Sequence, residues 1–283
     1  MFFGCNLICT QKTPVELVWG IVMKEIVRMW KYSTMIGLTV ICASIYMLLL
    51  IPFKSIPIIP YITEIRLAAM LPVIFGLLFG PAGAWGSAIG NLLGDFFGTL
   101  TFGSIFGFIG NFLYAYIPYK LWNHFKINCR ENKALSINSP SKLMRFGIVS
   151  FISGSSCAIV IAWGLHVLKL ACFKDISVII TLNNVVVTLL VGPFLLSFLY
   201  SLAKKYNLLW TDIMDKMDIS KPSTDKLYPL MVIIGSIAGL IFGLASEYIY
   251  KSQLLNKAAS GNPITAFAVL PFIAALCYGS FKC

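Results

Sequence analysis

From Glu64 to Trp122 the chain reads EIRLAAMLPVIFGLLFGPAGAWGSAIGNLLGDFFGTLTFGSIFGFIGNFLYAYIPYKLW, almost wholly apolar yet carrying Asn91, Asp95 and Asn111. An ionisable or amide side chain at the centre of a membrane helix costs about 2.5–3.5 kcal/mol on insertion scales, which marks each of these residues as a functional candidate. The chain as a whole agrees with a bilayer setting: 58% of its 283 residues are hydrophobic and 12% charged. Its mean hydropathy is +0.85. This is the composition of an integral membrane protein, not of a soluble domain.

The net charge of +11 is not the footprint of a nucleic-acid partner, because Lys and Arg fall between the apolar runs. Eight cysteines are scattered without C-x-x-C spacing beside only two His, which argues against a zinc site or a disulfide framework. The N-terminus MFFGCNLICTQ lacks the basic start and apolar core of a cleavable signal, so the first span is expected to direct insertion.

Four regions are expected. Residues 1–34 form an N-terminal segment in which Val15, Val18, Trp19, Val22, Ile26, Met29 and Trp30 recur at steps of three and four, an amphipathic helix for the interface. Residues 35–203 hold six spans, at about 35–53, 64–80, 81–100, 103–122, 145–170 and 177–203. Pro57 and Pro60 make an ordered loop or cap after the first, and Pro81 opens the third. Residues 204–226 form a loop of mixed charge, and 227–283 add a seventh span and the run ITAFAVLPFIAALCYG, an eighth span or a re-entrant segment around Pro271. Basic residues concentrate in the N-terminal tail and in the loops near 120–145 and 204–226, which places these in the cytoplasm.

With that topology, a rise of about 1.5 Å per residue assigns depths to the polar groups. Glu64, Arg66, Asn91, Asp95, Asn111, Trp163, His166, Asn183 and Asn184 all fall in the middle or outer levels, the outline of a pocket open to the outside. Structural readings stand beside that one: an interfacial ion pair for Glu64 and Arg66, interhelical hydrogen bonds for the Asn residues, an interfacial position for His166. Glu247 is expected to be solvated. Gly86, Gly90, Gly94 and Gly98 recur every four residues and make a packing groove, with similar sets at Gly103, Gly107 and Gly110 and at Gly235, Gly239 and Gly243. Rings near Asp95 offer stacking surfaces for a planar ligand.

The chain has no phosphate loop and no H-E-x-x-H motif, and its serines at 153, 155 and 156 are more than two turns from His166. It is therefore not expected to be an enzyme or to carry a metal or cofactor. An ion-coupled secondary transporter is the alternative, with Asp95, Glu64 or Glu247 carrying the ion.

The run LLLIPFKSIPIIPYITEIRLAAMLPVIFGLLFGPAGAWGSAIGNLLGDFFGTL resembles the substrate-binding S components of energy-coupling factor (ECF) transporters, most clearly from Met35 to Trp122. The resemblance implies an all-α integral membrane fold: a six-helix S-component-like bundle, here with one or two additional C-terminal hydrophobic segments. It implies a vitamin-like ligand captured at the outer side of the cell membrane, capped by the loop after the first span. It further implies partners, a transmembrane coupling protein and two ATPase subunits. Small residues on the first span dock the coupling protein in that family; Thr39 and Ala43 stand in a similar pattern, without the usual pair of alanines.

Overall fold

A computed structural model describes residues 24–52, 57–59, 63–64, 66–98, 100–125, 135, 137–220, 224–253 and 261–283. Its elements are α1 (Lys24–Arg28, continued by a 3-10 turn Met29–Lys31), α2 (Ser33–Leu50), β1 (Pro57–Ile59), β2 (Thr63–Glu64), α3 (Leu71–Phe79, entered through a 3-10 turn Leu67–Met70) and α4 (Pro81–Asp95). Then follow α5 (Ser104–Leu121), α6 (Pro140–Val167), α7 (Phe173–Lys205), α8 (Trp210–Ile213), α9 (Leu227–Gln253) and α10 (Pro263–Lys282). The helices α2, α6, α7, α9 and α10 are long and apolar enough to cross a membrane. The protein is an all-helical, multi-pass membrane bundle with one two-stranded antiparallel ribbon, β1 on β2, in the loop after the first span.

The short α3 is the axis of the bundle. Every residue from Leu71 to Leu78 is buried, so this helix is enclosed on all sides, and it packs against α4, α5 and α7. Around it α4 lies between α2 and α5, and α6 joins α5 to α7. The helices approach closely where glycine removes the side chain. A Cβ on Gly76 would fall 1.8 Å from the Ala115 carbonyl oxygen of α5. One on Gly86 would meet Cys42 Cβ at 2.4 Å, and one on Gly90 the Ala43 carbonyl oxygen at 2.7 Å. The expected groove of α4 is thus the seam that receives α2.

That seam holds the expected docking pair. Thr39 and Ala43 are buried against Gly86 and Gly90, with the Thr39 hydroxyl bonded to the Met35 carbonyl. The outward side of α2 carries Gly37, Val40, Ile41 and Leu48 instead. Gly98 also leaves the groove: α4 ends at Asp95, and Gly98 turns the chain at φ +139° with nothing within 4 Å of its Cβ position. The helix was expected to run on to about residue 100, a length that apolarity allows but this left-handed turn stops.

The C-terminal segment is a continuous helix despite Pro271, long enough to span, and it runs antiparallel to α9. Asn262 caps it by accepting from the Thr265 amide at 2.8 Å. The pair α9–α10 packs mainly on α6. At the other terminus, residues 1–23 of the expected N-terminal segment lie outside the described residues. In α1 Ile26 is buried as its periodicity predicts, but Glu25, placed by the same periodicity on the polar face, is buried too.

Candidate functional site

The brevity of α3 builds the site. Because Arg66 precedes a helix of only nine residues and its 3-10 entry, it lies well below the rim of the bundle. Its partner Asn183 is ten residues along α7, about 15 Å from that helix's start. The Arg66 amide donates to Asn183 Oδ1 at 3.4 Å, and the guanidinium Nη1 donates to Asn91 Oδ1 at 3.2 Å. Asn91 and Asp95 are one turn apart on α4, so they share a face, and Asn91 Nδ2 donates to Asp95 Oδ2 at 3.5 Å. Gly107 of α5 stands over this pair: a Cβ there would be 3.0 Å from Asn91 Nδ2.

One turn further along α5, Asn111 donates to the Gly107 carbonyl at 2.9 Å and accepts from the Tyr46 hydroxyl of α2 at 3.0 Å. One more turn brings Tyr114, whose hydroxyl reaches the Asn184 carbonyl at 3.1 Å and Thr188 Oγ1 at 2.9 Å. Five of the expected residues, Arg66, Asn91, Asp95, Asn111 and Asn183, together with the Asn184 backbone, therefore line one polar row across α2, α4, α5 and α7. Tyr46, Tyr114 and Thr188 complete it and were not expected. Tyr114 had a signal, since it follows Asn111 by three residues on the same helix.

The row places a guanidinium and a carboxylate on either side of a carboxamide, alternating donors and acceptors within a low-dielectric wall. Such a surface recognises a small polar molecule by hydrogen bonding and makes an unmatched competitor leave buried groups unpaired. Phe96, Phe97 and Phe102, which follow Asp95, are exposed at the same end. Trp85, Phe108 and Phe112 instead join Trp30 and Tyr116 in an aromatic cluster in the opposite half. No group of three or more metal-ligating side chains occurs among the described residues. Glu64 pairs through its backbone with Pro57, and its side chain lies outside the described residues.

Trp163 and His166 do not join the row. They lie one turn apart on α6 and reach the first turn of α10: Trp163 Nε1 donates to the Ala266 carbonyl at 2.9 Å, and His166 Nε2 lies 3.1 Å from the Asn262 carbonyl. Glu247 of α9, expected to be solvated, is buried beside His166 because the α9–α10 pair closes over it. The sequence marked α9 as a span and left the last apolar run as a span or a re-entrant segment, and it held no signal for where either packs.

The opposite end is closed by ionic contacts. Glu25 accepts from the Tyr119 hydroxyl at 2.8 Å and from the Ser220 amide at 3.0 Å, and pairs with Lys120; both charges are buried. Arg28 and then Tyr32 bond Asp218, holding its carboxyl below the usual carboxylate range. A cavity of about 590 Å³ opens near this end, lined by Tyr119, Trp122, Tyr200, Lys204, Trp210 and Asp212. It shares no residue with the row built on Arg66.

No curated protein and no solved structure matches the chain. A family model described as the QueT transporter matches residues 36–201, more than half of the chain and the whole of the bundle that carries the Arg66–Asn91–Asp95 row. The chain therefore belongs to the QueT transporter family, an S-component family of ECF-type transporters, and is a membrane component for a small substrate.

Proposed function

We propose that this chain is the substrate-binding subunit of an ECF-type importer, capturing a vitamin-like base of the queuosine-precursor type at the outer face of the cell membrane. The observation that carries the reading is the polar row Arg66–Asn91–Asp95 beside Asn183, recessed below the rim of a bundle whose centre is apolar. A deazapurine edge has adjacent N–H donors, for which the Asp95 carboxylate is the natural acceptor. Arg66 and Asn91 supply donors for the ring carbonyl, and Asn183 and Asn184 flank them from α7. The basic loops put the N-terminus and the Lys120 end in the cytoplasm, so the row faces outward. The chain lacks a phosphate loop, so energy comes from two ATPase subunits through a transmembrane coupling protein, and the chain itself catalyses nothing.

Calorimetry on the purified protein in detergent tests this with 7-deazaguanine-type queuosine precursors, with riboflavin and thiamine as comparisons. The precursor should bind, and Asp95→Ala should weaken it at least tenfold, about 1.4 kcal/mol. An unchanged affinity removes Asp95 from the site, and preferential binding of riboflavin or thiamine replaces the proposed ligand class.

A further inference from the structure

Between α6 and the C-terminal pair lies a second polar cluster that the substrate site does not use. His166 is fully buried and Glu247 is 4% exposed. His166 Nδ1 and Glu247 Oε1 lie 3.8 Å apart, and neither atom has a hydrogen-bond partner. The other atoms of both side chains are committed. A carbonyl can only accept, so the Asn262 carbonyl places a proton on His166 Nε2. Glu247 Oε2 accepts the Lys174 amide at 2.5 Å, in the first turn of α7, where the helix end favours a negative charge. A neutral imidazole would then direct its Nδ1 lone pair at a carboxylate oxygen, two acceptors facing each other in a site without water contact. One further proton on the pair turns this repulsion into attraction.

We propose that His166 and Glu247 form a single-proton site that latches the α9–α10 pair onto the outer ends of α6 and α7. The contacts around it join all four elements. Asn262 caps α10, its Nδ2 donates to Thr265 Oγ1 at 2.9 Å, and Thr265 Oγ1 lies 3.1 Å from Ser246 Oγ on α9. Charged side chains around the pair among the described residues include Lys174 and Asp175 at the start of α7 and Lys169 in the α6–α7 turn, all exposed. These screened charges do not replace a proton held between two buried atoms. The proton is retained at low pH and lost as pH rises, so raising the pH releases the latch. Because α7 also carries Asn183 and Asn184, release at its start loosens one wall of the substrate row.

The chain has two His residues, so His124→Gln leaves His166 as the single reporter in full-length protein labelled with ¹⁵N-histidine. At low pH Nδ1 should give the signal of a protonated nitrogen and lose it on raising the pH. Amide exchange across Pro263–Lys282, corrected for intrinsic rates, should rise at least tenfold over the same interval. Glu247→Gln supplies an amide hydrogen in place of the proton, so in that variant the rise with pH should vanish. An Nδ1 that is bare at every pH overturns the proposal without recourse to any Glu247 variant. So does an exchange profile that Glu247→Gln leaves unchanged.

Discussion

At the scale of single residues, the Arg66–Asn91–Asp95 row and the His166–Glu247 pair differ in how their polar atoms are matched. Asn111 is matched on both sides: its amide nitrogen meets Gly107 and its oxygen meets Tyr46. The Tyr46 hydroxyl is therefore a structural partner, holding α2 to α5 behind Asn91 and Asp95. Tyr46→Phe removes that donor and leaves Asn111 Oδ1 buried, which should lower stability by about 1–3 kcal/mol. Thermal unfolding in detergent measures it, and an unchanged midpoint would mean that the donor contributes nothing net. Affinity for the precursor should change less than in Asp95→Ala, because Tyr46 bonds Asn111 and not Arg66, Asn91 or Asp95. Asn91, Asp95 and Asn111 were legible in the sequence because an amide or carboxylate stands out in an apolar run. Tyr46 and Tyr114 were not, since a tyrosine in such a run reads as one more ring until its hydroxyl is seen to face a partner.

Among the elements, glycine spacing decided which helices touch. The four-residue period at Gly86, Gly90 and Gly94 announced a seam on α4, and α2 fills it through Cys42, Ala43, Tyr46 and Leu50. The period could not name the occupant. Thr39 and Ala43 therefore read as a docking face, and their burial against Gly86 and Gly90 was not legible. The length of α4 was likewise illegible past Asp95, because a turn at Gly98 depends on backbone angle and not on hydropathy. Gly76 shows how tight these contacts are. Gly76→Ala drives a methyl into the Ala115 backbone carbonyl, which no side-chain rotation relieves, and should destabilise by about 3 kcal/mol or more. Gly37→Ala, with nothing within 4 Å, is the matched control and should leave the unfolding midpoint within a degree or two. Equal effects of the two substitutions would show that α3 and α5 separate freely.

Across the whole molecule the bundle is fastened differently at its two ends. At one end hydrogen bonds and the His166–Glu247 pair join α6 and α7 to the C-terminal helices, which lie outside the span matched by the family. At the other, Glu25 of α1 and Lys120 of α5 form a buried ion pair that also captures Ser220, tying the segment before the first span to the loop before α9. Hydropathy marked both charges as surface groups, and only the chain's return through Ser220 buries them. A buried pair of this kind contributes little net stability, because desolvation offsets attraction, but breaking it strands a charge. Glu25→Ala should therefore cost about 3–5 kcal/mol by leaving Lys120 uncompensated beneath Tyr116 and Tyr119. The double variant Glu25→Leu with Lys120→Met removes both charges at similar volume and should recover most of that loss. Chemical unfolding of the three proteins gives the coupling directly. A double variant as unstable as Glu25→Ala would mean that the Tyr119 and Ser220 contacts, and not the ion pair, hold this end closed.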